Sequence, residues 1–126
     1  MNKKRKITGW VMAGLITALF AMSASNKLMG NPEMVTNFEK WGLSSMMIVI
    51  ALGEIISAIL FLIPRTSVLG TLLLSSHLGG AIVVHMANGE PYIFQSIILV
   101  LIWVTSWVRN PEMFNTLLSG NASVRK

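Results

Sequence analysis

The sequence has no cysteine and no aspartate, and only 12% of its 126 residues are charged. Without cysteine this chain forms no disulfide, no thiolate metal site and no dithiol redox pair. A soluble domain of this length carries about a quarter charged residues, so half the usual solubilising surface is missing. That shortage excludes an ordinary cytosolic enzyme, a disordered tail and a nucleic-acid-binding module. The net charge of +5 does not restore the last of these, because four of the ten Lys/Arg sit at positions 3–6 beside a long apolar run. Basic residues placed there orient a chain in a membrane rather than grip phosphates.

What the chain does have is apolar length: 53% of residues are hydrophobic and the mean hydropathy is +0.65. A helix needs roughly 20 apolar residues to cross a hydrocarbon core about 30 Å thick. Four segments approach that length, at 7–26, 44–63, 66–87 and 92–108. Lys27 and the Gly30-Asn31-Pro32 turn end the first, Pro64-Arg65 the second, Asn88-Gly89-Glu90-Pro91 the third and Arg109-Asn110-Pro111 the fourth. Helices satisfy their own backbone in lipid and open sheets do not. The expectation is one domain over 1–126, an all-α membrane protein folded as an antiparallel four-transmembrane-helix bundle. A short helix is expected after Pro111 within the tail 109–126, followed by disorder.

Basic residues set the orientation. Lys3, Lys4, Arg5, Lys6, Arg65, Arg109, Arg125 and Lys126 share one side, against Lys27 and Lys40 on the other. Eight against two puts both termini in the cytoplasm. Lys3 to Lys6, the apolar stretch and Ser23-Ala24-Ser25 also resemble a secretory signal with its cleavage site, but the run is at the long end for one. Within 28–43, Asn31 can cap a helix that starts at Pro32 with Glu33 in its first turn. Met34, Val35, Phe38 and Trp41 then share one side. Either a short amphipathic helix lies on the outer surface or a compact loop buries Trp41; both would cover the outer mouth of the bundle.

Small residues mark helix contacts in lipid. The first span has Gly9, Ala13, Thr17, Ala21 and Ser25 at steps of four; the second has Gly53, Ser57 and Ala58; the third has Gly70, Ser75, Ser76, Gly79, Gly80 and Ala81. The fourth span is richer in large apolar residues and is expected to face lipid more. Glu54 stands halfway along its span among these small residues, where an acid costs on the order of 2.5–3.5 kcal/mol even on lenient insertion scales. An intramembrane acid is a candidate functional group, or else a helix-bonding one. His77 reaches a similar depth from the next span, and His85 sits nearer the outer surface. Lys27 either snorkels to headgroups or turns inward toward Glu54 or His85. Depth counted from span ends puts Glu54 about 15 Å below the surface against a lysine reach of about 6 Å, so direct pairing would need a shifted or kinked span. Asn26 and Gln95 lie at the same outer level. These six residues outline a polar funnel suited to a small ligand or to protons. Two His and one Glu are thin for a metal site, and none is assigned. No nucleophile–base–orienter triad, phosphate loop or HExxH pattern is present.

Several short motifs occur together in order: Ser25-Asn26-Lys27-Leu28, Asn31-Pro32-Glu33, the run Phe38 to Leu43, Gly53-Glu54-Ile55-Ile56, Leu62-Ile63-Pro64-Arg65, Leu69-Gly70, Gly80-Ala81 and His85. In this the chain resembles the DoxX-like family of small four-helix membrane proteins over residues 9–109; His77 lies outside the pattern. The resemblance implies membrane subunits of sulfur-oxidising quinone reductases or oxidative-stress complexes, with distant animal relatives acting as receptor-assembly chaperones. The expected role is therefore a subunit or accessory of a redox or stress-response complex in the cell (inner) membrane. Glu54, with His77 and Lys27, would serve a proton or a quinone-like ligand. A non-catalytic assembly factor and a small proton-coupled exporter are the alternatives. The expected partners are the lipid bilayer, a membrane redox complex or another membrane protein, and a second copy of the chain; nucleic acid is not among them.

Overall fold

The computed structural model describes residues 2–119. Its elements are α1 (Lys3–Leu28), α2 (Pro32–Lys40), α3 (Met47–Leu62), α4 (Ser67–Ala87), α5 (Ile93–Arg109) and α6 (Pro111–Ser119), with 3₁₀ turns at Ser44–Met46 and Pro64–Thr66. Among the described residues there is no strand. α1, α3 and α4, with their adjoining turns, are long and apolar enough to cross a membrane. α5 has 17 residues, the lower limit for a span. The protein is an all-α membrane bundle. Each spanning helix begins or ends within a few residues of the expected boundary, the largest difference being α1, which starts at Lys3 and takes in the basic cluster. The disorder expected beyond the tail helix, together with Arg125 and Lys126, lies outside the described residues.

The four long helices form a ring in which α1 packs on α3 and α5, and α4 packs on the same two. One end of the ring carries α2 and is called the lid end; the other carries the N-terminus and α6 and is called the terminal end. The core runs down the ring's axis through Ala13, Ile16, Phe20, Ala58, Phe61, Leu74, Leu78, Ile98 and Ile102. The buried face of α1 follows Gly9, Ala13, Ile16, Phe20, Ala24 and Lys27, whereas Ala21 and Ser25 are exposed. Four residues advance a helix by 400°, so a strict four-step ladder drifts about 40° per step and leaves the interface after Thr17. α5 buries Ile98, Ile102, Thr105 and Ser106 and leaves large apolar residues such as Phe94, Val100 and Trp107 exposed.

The terminal end is fixed by two arginines. Arg109 donates from Nη1 to the Phe61 carbonyl at 2.7 Å and from Nη2 to the Leu62 carbonyl at 2.7 Å. Arg5 donates from Nε to the Val108 carbonyl at 2.9 Å and from Nη2 to the Trp107 carbonyl at 2.8 Å. Both therefore satisfy carbonyls that the last turns of α3 and α5 leave open, at the negative ends of those helices. Between α4 and α5, Thr71 and Ser106 share a hydrogen bond, and Asn110 Nδ2 donates to Ser67 Oγ at 2.9 Å. α6 then turns away from α5 by 104°, with Phe114 stacked edge-on against Trp103.

Candidate functional site: a lidded cavity with a lysine–glutamate–histidine floor

Glu54 lies at the middle of α3 and His77 at the middle of α4. Glu54 is 2% exposed, and its two carboxylate oxygens are shared out: Oε1 is 2.9 Å from Lys27 Nζ and Oε2 is 3.3 Å from His77 Nε2. Lys27 also donates to Ser23 Oγ at 2.6 Å, one helical turn back on α1. Phe20 meets the His77 ring edge-on. An acid at this depth thus has a cation, a second polar partner and an aromatic neighbour, the company that makes burial tolerable.

Direct pairing of Lys27 with Glu54 needs no kink. Helical side chains lean toward the N-terminus of their own helix. α1 and α3 run antiparallel, so Lys27 near the end of α1 leans down into the bundle while Glu54 leans up toward the lid end. The α-helical part of α3 also begins only at Met47, which puts Glu54 about 10 Å below it by the helix rise. Two side chains reaching toward each other cover that interval.

The cluster opens into a cavity of about 420 Å³, within the range of small-molecule sites. Its wall is apolar and aromatic, from Phe20, Leu78 and Ile98 in the ring to Met34, Phe38 and Trp41 on the lid segment. Here α2 is the short helix, and its apolar side looks down into the bundle: Phe38 is buried. Asn31 caps it as expected, accepting from the Glu33 amide at 3.0 Å.

His85 and Gln95 form the upper polar part of the same wall, with Gln95 Nε2 3.2 Å from His85 Nε2. Gln95 Oε1 is buried and has no hydrogen-bond partner among the described residues. The other ring nitrogen of His85 lies 2.9 Å from Glu90 Oε1, off the line a hydrogen bond needs. Asn26 is not part of the wall; its carbonyl accepts from the Asn31 amide at 3.1 Å and so shapes the turn out of α1. Of the six candidates, five therefore line one cavity, in two groups at different depths: Lys27, Glu54 and His77 on the floor, His85 and Gln95 above.

Sequence reasoning gave no role to Glu90, which latches the lid. It accepts from Lys40 Nζ at 2.6 Å and from Trp41 Nε1 at 2.9 Å, and Trp41 packs edge-on against His85. No spacing rule links residues 50 apart, although an acid following Gly89 in a tight turn was a visible oddity. The Lys40 ammonium, aided by the Trp41 N–H, holds the Glu90 carboxyl below its ordinary value of 4.5. A depressed carboxyl stabilises the docked lid above its free value and loses that contribution only as the pH falls through the lowered one. Glu90→Gln is accordingly expected to speed amide exchange in residues 33–41 several-fold at neutral pH. The difference from wild type should persist at pH 4.5 and close only in stronger acid. Equal exchange at neutral pH would remove the latch.

No curated protein and no solved structure matches this chain. Among protein families the match is to the DoxX-like family, and with residues 11–108 covered by it the chain belongs to that family.

Proposed function

We propose that this protein is an accessory subunit of a redox or stress-response complex in the cell (inner) membrane, with both termini in the cytoplasm and the lid on the outer side. Its cavity takes a quinone-like ligand, and the floor cluster exchanges a proton with the ligand's head group. One observation carries the reading: a buried carboxylate bridges an amine and an imidazole at the bottom of a lidded apolar cavity. Such a cluster can pass a proton between three groups without exposing a lone charge to lipid. The eight-to-two distribution of basic residues supports the orientation.

The residues present fit a quinone. Lys27 Nζ has three hydrogens and two protein acceptors, which leaves one donor for a ligand carbonyl. Phe20, Phe38 and Trp41 offer faces and edges to a flat ring, and Gln95 Oε1 is an acceptor without a partner among the described residues. A bound quinone would supply the electron-carrying carbonyls, which take up protons as they are reduced. Lys27 orients such a head, Glu54 and His77 hold the proton, and the lid keeps water from the floor.

The test is binding of a decyl-substituted benzoquinone to the protein in nanodiscs, followed across pH, with empty discs subtracted. Wild type is expected to bind saturably and with a pH-dependent affinity. Glu54→Gln keeps the shape but cannot ionise, so it should flatten the pH profile and weaken binding about tenfold or more. Unchanged affinity and pH response in that variant would end the proton-handling role.

A further inference from the structure

The ring is closed unevenly between α3 and α4. At the terminal end the two helices touch: a Cβ on Gly70 would overlap the Phe61 backbone and lie 2.7 Å from the Leu60 carbonyl carbon. Two turns toward the lid, the same stripe of α4 reaches His77, with Gly80 three residues further on and about 60° round the helix, while α3 carries Gly53 seven residues before Leu60. A Cβ built on Gly53 or Gly80 would meet no atom within 4 Å among the described residues. Gly80 and its neighbour Ser76 are exposed, yet both line the cavity, with Ile50 opposite on α3. The side chain of His77 keeps 22% exposure although its partner Glu54 is buried. The cavity is therefore not sealed on this side: a slot edged by Gly80 and Ser76 on α4 and by Ile50 on α3 opens from the floor cluster to the flank of the bundle, where the bilayer lies.

From this geometry we infer that the ligand enters sideways from the lipid, through the slot between α3 and α4, and carries an apolar tail that stays in the slot. This deepens the proposed function and rests on the cavity holding a ligand. The class is a membrane-dissolved amphiphile with one hydrogen-bonding head and one apolar tail, rather than a water-soluble solute admitted under α2. Small residues suit this use, since an alkyl chain can lie along helix backbone only where side chains are missing. The head then meets Lys27 and His77 at the floor, and the tail passes Gly80 and Ser76 into the surrounding acyl chains.

The absence of cysteine makes a direct test clean. Ser23→Cys puts a single thiol on the α1 wall of the cavity, away from the slot. In liposomes, a maleimide carrying a decyl chain and dissolved in the bilayer is expected to label it faster than a charged, water-soluble maleimide. Adding Gly80→Leu, which fills the slot, should slow the lipid-borne reagent about tenfold or more. Gly79→Leu adds the same bulk one residue away on another face and should change the rate less than twofold. Labelling that ignores Gly80→Leu, or equal rates for the two reagents, would overturn the lateral route. A Gly80→Leu protein that fails to fold is replaced by Ser76→Leu, which narrows the same opening. Because the thiol reports the slot whether or not a quinone binds, normal labelling with no quinone binding would sink the proposed function and leave this inference standing.

Discussion

Replacing Lys27 with methionine is expected to destabilise the bundle by about 3–5 kcal/mol, more than any lipid-facing substitution of similar size. The methionine fills nearly the same volume, so the loss is electrostatic. Glu54 is left with its charge buried, facing only the imidazole of His77 among the described residues. The second arm of the cycle separates this cause from packing. In Lys27→Met/Glu54→Gln the uncompensated charge is gone, and more than half of the lost stability should return. Unfolding by SDS titration from a mixed micelle, with helicity as the readout, measures all three variants on one scale. If Lys27→Met cost under about 1 kcal/mol, the pair would be a snorkelling contact like those at bilayer surfaces, and Glu54 would have another means of tolerating its depth. If the double variant were as weak as the single, the deficit would belong to the lysine stem and its contact with Ser23.

That pair also marks where the sequence was readable and where it was not. The spans were legible because the bilayer demands length and apolarity from each segment separately, and Pro64, Pro91 and Pro111 end runs that would otherwise merge. Glu54 was legible because a carboxyl in such a run is conspicuous on its own. Its bond to Lys27 was not, since counting residues from the span ends fixes Cα depth and ignores the lean of side chains in antiparallel helices. Ser23, one turn before Lys27, was a local clue that the lysine points inward. The cavity itself has no local signature: it arises from how far α3 and α4 part beyond Gly70, a property of two helices together. Glu90 likewise acts through Lys40 and Trp41, a partnership that only the folded chain brings together. The small-residue pattern was informative in kind and incomplete in detail. Gly70 seats a helix contact, whereas Gly53 and Gly80 leave a space.

A glycine series tests that distinction and carries the second large effect. Gly70→Ala should cost about 3 kcal/mol, at the upper end for an overpacked site. The added methyl would strike main-chain atoms of Phe61 and Leu60, which cannot rotate away; the helices must separate instead. Separation would strain the bonds that Arg109 makes to the Phe61 and Leu62 carbonyls, so the terminal end would loosen with it. Gly9→Ala should cost less, because its methyl meets the Arg109 Cγ at 2.7 Å and a flexible side chain can yield by a few tenths of an ångström. Gly80→Ala, at the open side, meets nothing within 4 Å among the described residues and should be neutral or stabilising by up to about 1 kcal/mol, the ordinary gain of alanine over glycine inside a helix. Unfolding of the three variants in the same micelle would rank them. An order with Gly80→Ala as damaging as Gly70→Ala would mean that α4 is held against α3 along its whole length. It would then have no reason to part from α3 above Gly70, and the open side of the cavity would lose its physical basis.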